Sequence, residues 1–127
     1  MTSFGRPEGE GFDMGKFIVR MQDCYLEWST ITDSPITFGM ALGEFKEYYQ
    51  DTYGRRGSWD LQIRLERADE HGSSAHRSRY WPPDLFSGNR AGPNESELTE
   101  DEIYKAYCLQ EPIRDGWTVP CADELEI

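Results

Sequence analysis

Carboxylates are the side chains this chain offers in excess, and their spacing decides what chemistry they can do. Glu44, Glu47 and Asp51 stand three and four residues apart, so one helix face carries them in a row. Glu95, Glu97, Glu100 and Asp101 extend a second row, which Glu102 joins. Such rows suit a basic protein surface by electrostatic complementarity, and they imitate the phosphates of a duplex. The plainer reading is a solvated face that keeps the chain in solution. Trp81 is the aromatic residue set beside these acids as a candidate partner contact, although Tyr48, Tyr49, Trp81 and Trp117 all read as core anchors first. Glu100, Asp101 and Glu102 have the look of a divalent-metal cluster, but helix capping accounts for them and the EF-hand spacing is absent.

Reactive groups are sparse. His71 and His76 are the only histidines, in the string HGSSAH, with no further Cys or His nearby to complete a zinc site. They read as ordinary surface residues. There is no GxSxG, HExxH or Walker loop. The three cysteines, Cys24, Cys108 and Cys121, lie at wide spacing without a CxxC and read as reduced thiols, Cys24 and Cys108 as small core residues. No catalytic residue, metal ligand or cofactor is assigned.

A second kind of chemistry belongs to the arginines. The Gly-rich loop SGNRAGPN, Ser87 to Asn94, is a candidate phosphate cradle, with Arg77, Arg79 and Arg90 as anion contacts of an alternative ligand- or nucleotide-binding module built on residues 72–96. It lacks the strand-to-helix setting of a dinucleotide or P-loop site, so a structured turn is the simpler reading. Arg55, Arg56, Arg64 and Arg67 join them in an Arg-bearing middle beside Tyr80 and Trp81. From 55 to 90 there are seven Arg against five acids, a balance of +2, while the rest of the chain carries six basic and nineteen acidic residues. The whole sums to −11. That field repels nucleic acid and anionic membranes and attracts basic proteins. Direct nucleic-acid binding is not expected, and internal pairing of these arginines with the acidic flanks is.

The elements that must position these groups fit one domain of 127 residues. Apolar residues make up 37%, and four Trp, seven Tyr and six Phe supply large buried areas. Phe17 to Met21 and Cys24 to Ile31 read as two strands around a Gln22-Asp23 turn, the second alternating Cys24, Leu26, Trp28 and Thr30 against Tyr25, Glu27, Ser29 and Ile31. Asp33-Ser34-Pro35 reads as a turn. Leu42, Phe45, Tyr48, Tyr49 and Thr52 predict a helix over 41–53 stopped by Gly54. Ser58 caps a second helix over 59–71, with Leu61, Leu65 and Ala68 inward, Ile63 beside them, Arg64 and Arg67 on the wetter side, and Gly72 as the stop. Residues 72–96 read as irregular, with a short helical turn at 83–86. Thr99 and Glu102 form a capping box with Leu98 and Ile103 as its hydrophobic staple, opening a helix over 100–110 that Pro112 ends. Trp117 to Val119 reads as an edge strand or a packed segment. Strands first and helices after predict a small α+β domain, an N-terminal β-hairpin packed against three helices over 16–119. Residues 1–15 read as a flexible leader and 120–127 as an acidic tail. The chain has no apolar run that spans a membrane and no secretory signal at its start, which favours the cytoplasm.

The strings YLEWSTITDSP (25–35), NRAGPNE (89–95) and AYCLQEPIRDGW (106–117) resemble small uncharacterised acidic proteins of actinobacteria and their tailed phages. The resemblance covers residues 16–119 and implies a phage or mobile-element origin; that family carries no established activity, so no site residue follows from it. The expected function is an acidic module, in the host cytoplasm, that inhibits or redirects a host protein with a basic surface, such as a defence or nucleic-acid enzyme. A virion structural or accessory protein is a further alternative.

Overall fold

Six consecutive residues of one strand, CYLEWS, are buried, and the rest of the molecule is arranged to cover them. The computed structural model describes residues 15–120. The expected leader and tail lie outside the described residues, save Gly15 and Pro120. Strands β1 (Lys16–Met21), β2 (Cys24–Ser29) and β3 (Ser34–Pro35) form an antiparallel sheet in the order β1-β2-β3. Three helices follow: α1 (Leu42–Gly57), α2 (Leu61–His71) and α3 (Glu100–Ile103). The chain is a single-domain α+β protein.

The register Phe17↔Trp28, Val19↔Leu26, Met21↔Cys24 leaves Gln22-Asp23 as a two-residue turn. Gln22 takes a positive φ of 59°, a conformation Asn or Gly adopts more cheaply. Arg20 steadies the turn by donating from Nε to the Gln22 carbonyl at 2.7 Å. Ser34 and Pro35, expected as a turn, instead pair with Ser29 and Trp28. Beyond β1, Ser74 N–H donates to Ile18 O (2.8 Å) and Arg20 N–H to Gly72 O (3.0 Å), so both edges of the hairpin are covered.

The two faces of the sheet carry separate clusters. Phe17, Val19, Met21, Leu26 and Trp28 pack against Leu85, Phe86, Ala91, Leu98, Ile103 and Tyr107. Ile18 and Tyr25 pack against Phe45 and Tyr49 of α1 and Leu61, Leu65 and Ala68 of α2. Alternation along β2 was therefore real, but neither face is wet. Segment 72–96 is irregular as expected, yet it is packed: Ser73, Ser74, Ala75, Leu85, Phe86, Asn89 and Ala91 are buried. Asn89 replaces a strand's ladder there. Its amide donates to Phe86 O and Leu98 O, and its oxygen accepts from Ala91 N–H and Leu98 N–H.

The helices depart from expectation at their ends. Gly54 (φ 72°, ψ −177°) breaks α1 one turn before its end. Ser58 does not cap α2; its hydroxyl donates back to Gly54 O, and Asp60 holds the N-cap position. Arg64 is not on the wet side. It is 6% exposed, and its guanidinium meets Asp60 at 3.1 Å. Gly72 ends α2 in the left-handed conformation. The capping box at Thr99 and Glu102 forms as read, but α-helix gives way after Ile103 to a π-helical turn over Tyr104–Cys108. Trp117 to Val119 pairs with no strand; Trp117 and Val119 pack against the first cluster.

Gly39 marks the tightest approach between the layers. A Cβ there would stand 1.9 Å from Cys24 Sγ and 2.8 Å from Cys108 Sγ. Gly39→Ala is expected to cost about 1–3 kcal/mol in urea unfolding by overpacking, and Cys24→Ala in the same chain to recover part of that. A Gly39→Ala protein as stable as the parent contradicts this packing.

Glu102 also anchors Arg114, which reaches it through Nη2 (2.6 Å) and Nε (3.1 Å). Arg114, with the Thr99 backbone N–H, holds the Glu102 carboxyl below the usual carboxylate range. A lowered folded-state pKa gives stability that is present above the unfolded value and lost as pH falls through the folded one. Glu102→Gln is therefore expected to be less stable than the parent at neutral pH. The gap should close in acid; a gap that is constant with pH contradicts this account.

Candidate functional site

The expected acidic rows are presented on different layers. Glu44, Glu47 and Asp51 are exposed on α1 and make no hydrogen bond or ion pair among the described residues. Glu100 and Asp101 are exposed in the first turn of α3, on the other side of the sheet. Glu95 meets Arg90 at 3.5 Å, and Glu97 accepts from Gly88 N–H at 3.0 Å. The second row is thus partly engaged in holding the 87–97 loop, whereas the first is wholly outward.

The expected anion contacts do not form a cradle. Arg90 is occupied by Asp33 (3.5 Å), Glu95 and the Ile31 carbonyl (2.8 Å). Arg79 lies over the Tyr80 ring at 4.8 Å, and Arg77 is exposed. Arg20 pairs with Asp69, and Arg67 donates to Ser74 O at 2.7 Å. Arg55 and Arg56 remain exposed.

Two clusters invite a chemical reading and turn out to be ties. Glu27 is 2% exposed, and its carboxylate accepts from the hydroxyls of Tyr48 and Tyr53. Burial, and next the adjacent Glu27, push both phenols well above their ordinary range, so they stay protonated donors. The result fastens α1 to β2. Cys24 and Cys108 are free thiols in contact across Gly39. The hydrogen bond with Cys24, and then burial, pushes Cys108 up, which suits an inert thiol.

A groove of about 320 Å³ opens over the outer face of α2. Ile63, Glu66, Arg67, Glu70 and His71 line it from the helix, and His76 and Trp81 from the segment that follows. The spacing is the reason: positions 63, 66, 67 and 70 share one helical face, opposite the buried Leu61, Leu65 and Ala68. Its aromatic wall is held firmly. The Trp81 indole stacks on His71 with centroids 3.6 Å apart and planes within 4°. Trp81 Nε1–H donates to Ala75 O at 2.9 Å. Pro82 sits against Gly72, where a Cβ would come within 3.0 Å of its Cγ. Arg67 is turned aside to Ser74 O, which leaves Glu66 and Glu70 as rim carboxylates, the latter 3.7 Å from His71 Nε2. Ile63 is 53% exposed, and Trp59, four residues before it, is 71% exposed. Among the described residues no three His, Cys, Asp or Glu side chains converge to hold a metal ion.

The sequence offers Trp81 as a candidate contact, whereas it reads His71 and His76 as ordinary surface residues and sets Ile63 beside the buried face. Ile63 sits off the buried face of its own helix, which is the signal that marks it. Nothing local signals that His71 meets Trp81 ten residues on. No protein-family model matches the chain, and no curated protein or solved structure is detectably similar to it. No helix among the described residues is long and apolar enough to cross a membrane.

The exposure of Trp59 sets an optical expectation. Trp59→Phe should change stability by no more than about 0.5 kcal/mol while removing most of the red-shifted, acrylamide-quenchable emission. Quenching that is unchanged by the substitution contradicts an exposed Trp59.

Proposed function

We propose that the chain is a protein-binding module that recruits a basic protein surface through carboxylates, and that its work is association rather than conversion of a substrate. One observation carries the reading. Most arginines near acids are engaged inside the fold, Arg20 with Asp69, Arg64 with Asp60, Arg90 with Asp33 and Glu95, and Arg114 with Glu102. Glu44, Glu47 and Asp51 are left facing outward in a row on a rigid helix. The acidic excess of the chain, −11 overall, thus has an outward-facing row among the described residues that would steer a positive partner. Inhibition or redirection of a host enzyme that handles nucleic acid is the role such a surface would serve in a chain of the phage-related kind its sequence resembles.

Affinity capture from the cell of origin tests this. The parent chain should retain a partner that the Glu44→Gln/Glu47→Gln/Asp51→Asn variant loses. Retention should also fall as salt rises from about 0.1 to 1 M, over which the screening length contracts from about 10 to 3 Å. A partner held equally by both chains and at both salts, or none at any salt, contradicts the proposal.

A further inference from the structure

The α2 groove combines features that the acidic row on α1 lacks. Its floor is the half-exposed Ile63, one wall is the Trp81 indole backed by His71, and its rim carries Glu66 and Glu70. Lys and Arg side chains have two parts, an apolar stem that favours hydrophobic contact and a cationic head that favours carboxylates and aromatic faces. Ile63 and Trp81 match the first part, and Glu66 and Glu70 the second. Arg67, the arginine of α2 that lines the groove, donates to Ser74 O and offsets one of the two rim carboxylates, so the rim stays negative on balance. Trp81 is fixed by its stack and its hydrogen bond to Ala75, so the wall loses little freedom when a side chain arrives. Trp59, four residues before Ile63, extends exposed aromatic surface toward the helix start. Exposed Trp of this kind is the residue most often found at the energetic centre of an interface.

We propose that this groove is the seat for an arginine- or lysine-bearing segment of the basic partner. The stem lies along Ile63 and Trp81, and the head is held between Glu66 and Glu70. This deepens the acidic-module reading and rests on it, but it locates the specific contact on α2, with the α1 row making a second, peripheral contact with the same partner.

The test is an NMR titration of the full chain with an acetylated hexa-arginine amide, following the Ile63 methyl, the Trp81 indole N–H and the His71 ring. These signals should move together and saturate. Glu66→Gln/Glu70→Gln should weaken binding roughly five- to tenfold, and Ile63→Ser should weaken it as well; both sites are on the surface, so the fold should be retained. Glu44→Gln/Glu47→Gln should leave the groove's shifts in place. Shifts confined to α1, or groove shifts that survive loss of Glu66 and Glu70, overturn the groove while leaving the acidic-module reading standing. Groove signals that move on raising the protein's own concentration, or on adding a short oligonucleotide in place of the peptide, overturn it in favour of a second copy or a nucleic-acid ligand. The acidic-module reading itself fails if the full chain captures no partner, or one whose retention is insensitive to salt and to the loss of its carboxylates.

Discussion

The fold depends on covering a single strand from both sides. β2 lies between β1 and β3, and none of its six residues reaches solvent. One face takes α1 and α2, and the other takes α3 and the irregular 72–98 segment. Burying Glu27 in that strand is the costly element, because a carboxylate removed from water needs donors. Tyr48 and Tyr53 provide them from α1, and the helix is positioned by that need as much as by Phe45 and Tyr49. In a chain with only 37% apolar residues, the two buried clusters are thin layers laid against that one strand.

That economy shapes the exterior. The arginines are placed where a backbone carbonyl or a flanking acid needs them: Arg67 at Ser74 O, Arg90 at the Asp33 turn, Arg114 at Glu102 and the Glu97 carbonyl. The positive middle of the sequence is thus partly a structural resource that ties the irregular segment down. What remains outward is mostly acidic, with Arg55, Arg56 and Arg77 as exposed exceptions, and large apolar side chains also reach solvent, among them Ile31, Trp59 and Ile63. Trp59 lies just before α2 and Ile63 in its first turn, and the opposite side of that helix is needed in the core. The helix therefore joins the interior to the most distinctive part of the surface.

The hairpin, the three helices and the capping box at Thr99 were legible because each has a local cause: period-two alternation, 3.6-residue periodicity, reciprocal side-chain caps. Segment 72–96 was legible only as irregular. Its order comes from Asn89, whose four hydrogen bonds join residues up to nine apart, and from Ser73 and Ser74 running along β1, contacts that no local pattern signals. Arg64 departs from the wet side that its charge predicts, because Asp60 one turn earlier makes a buried guanidinium tolerable. The groove was hidden for a similar reason. His71 ends a helix and Trp81 follows an irregular stretch and one 3-10 turn at Ser78–Tyr80, and the reversal at Gly72 brings the rings together.

The central claim is that outward carboxylates on a rigid scaffold make the contact with a positively charged partner. Zero-length carbodiimide coupling in the cell of origin, read by mass spectrometry, asks this most directly, because it joins only carboxylates and amines already in contact. The account predicts links from Glu66 or Glu70, and from Glu44, Glu47 or Asp51, to lysines of another protein. Intermolecular links absent from all five positions, in a complex that other cross-linkers capture through a different face, would contradict it.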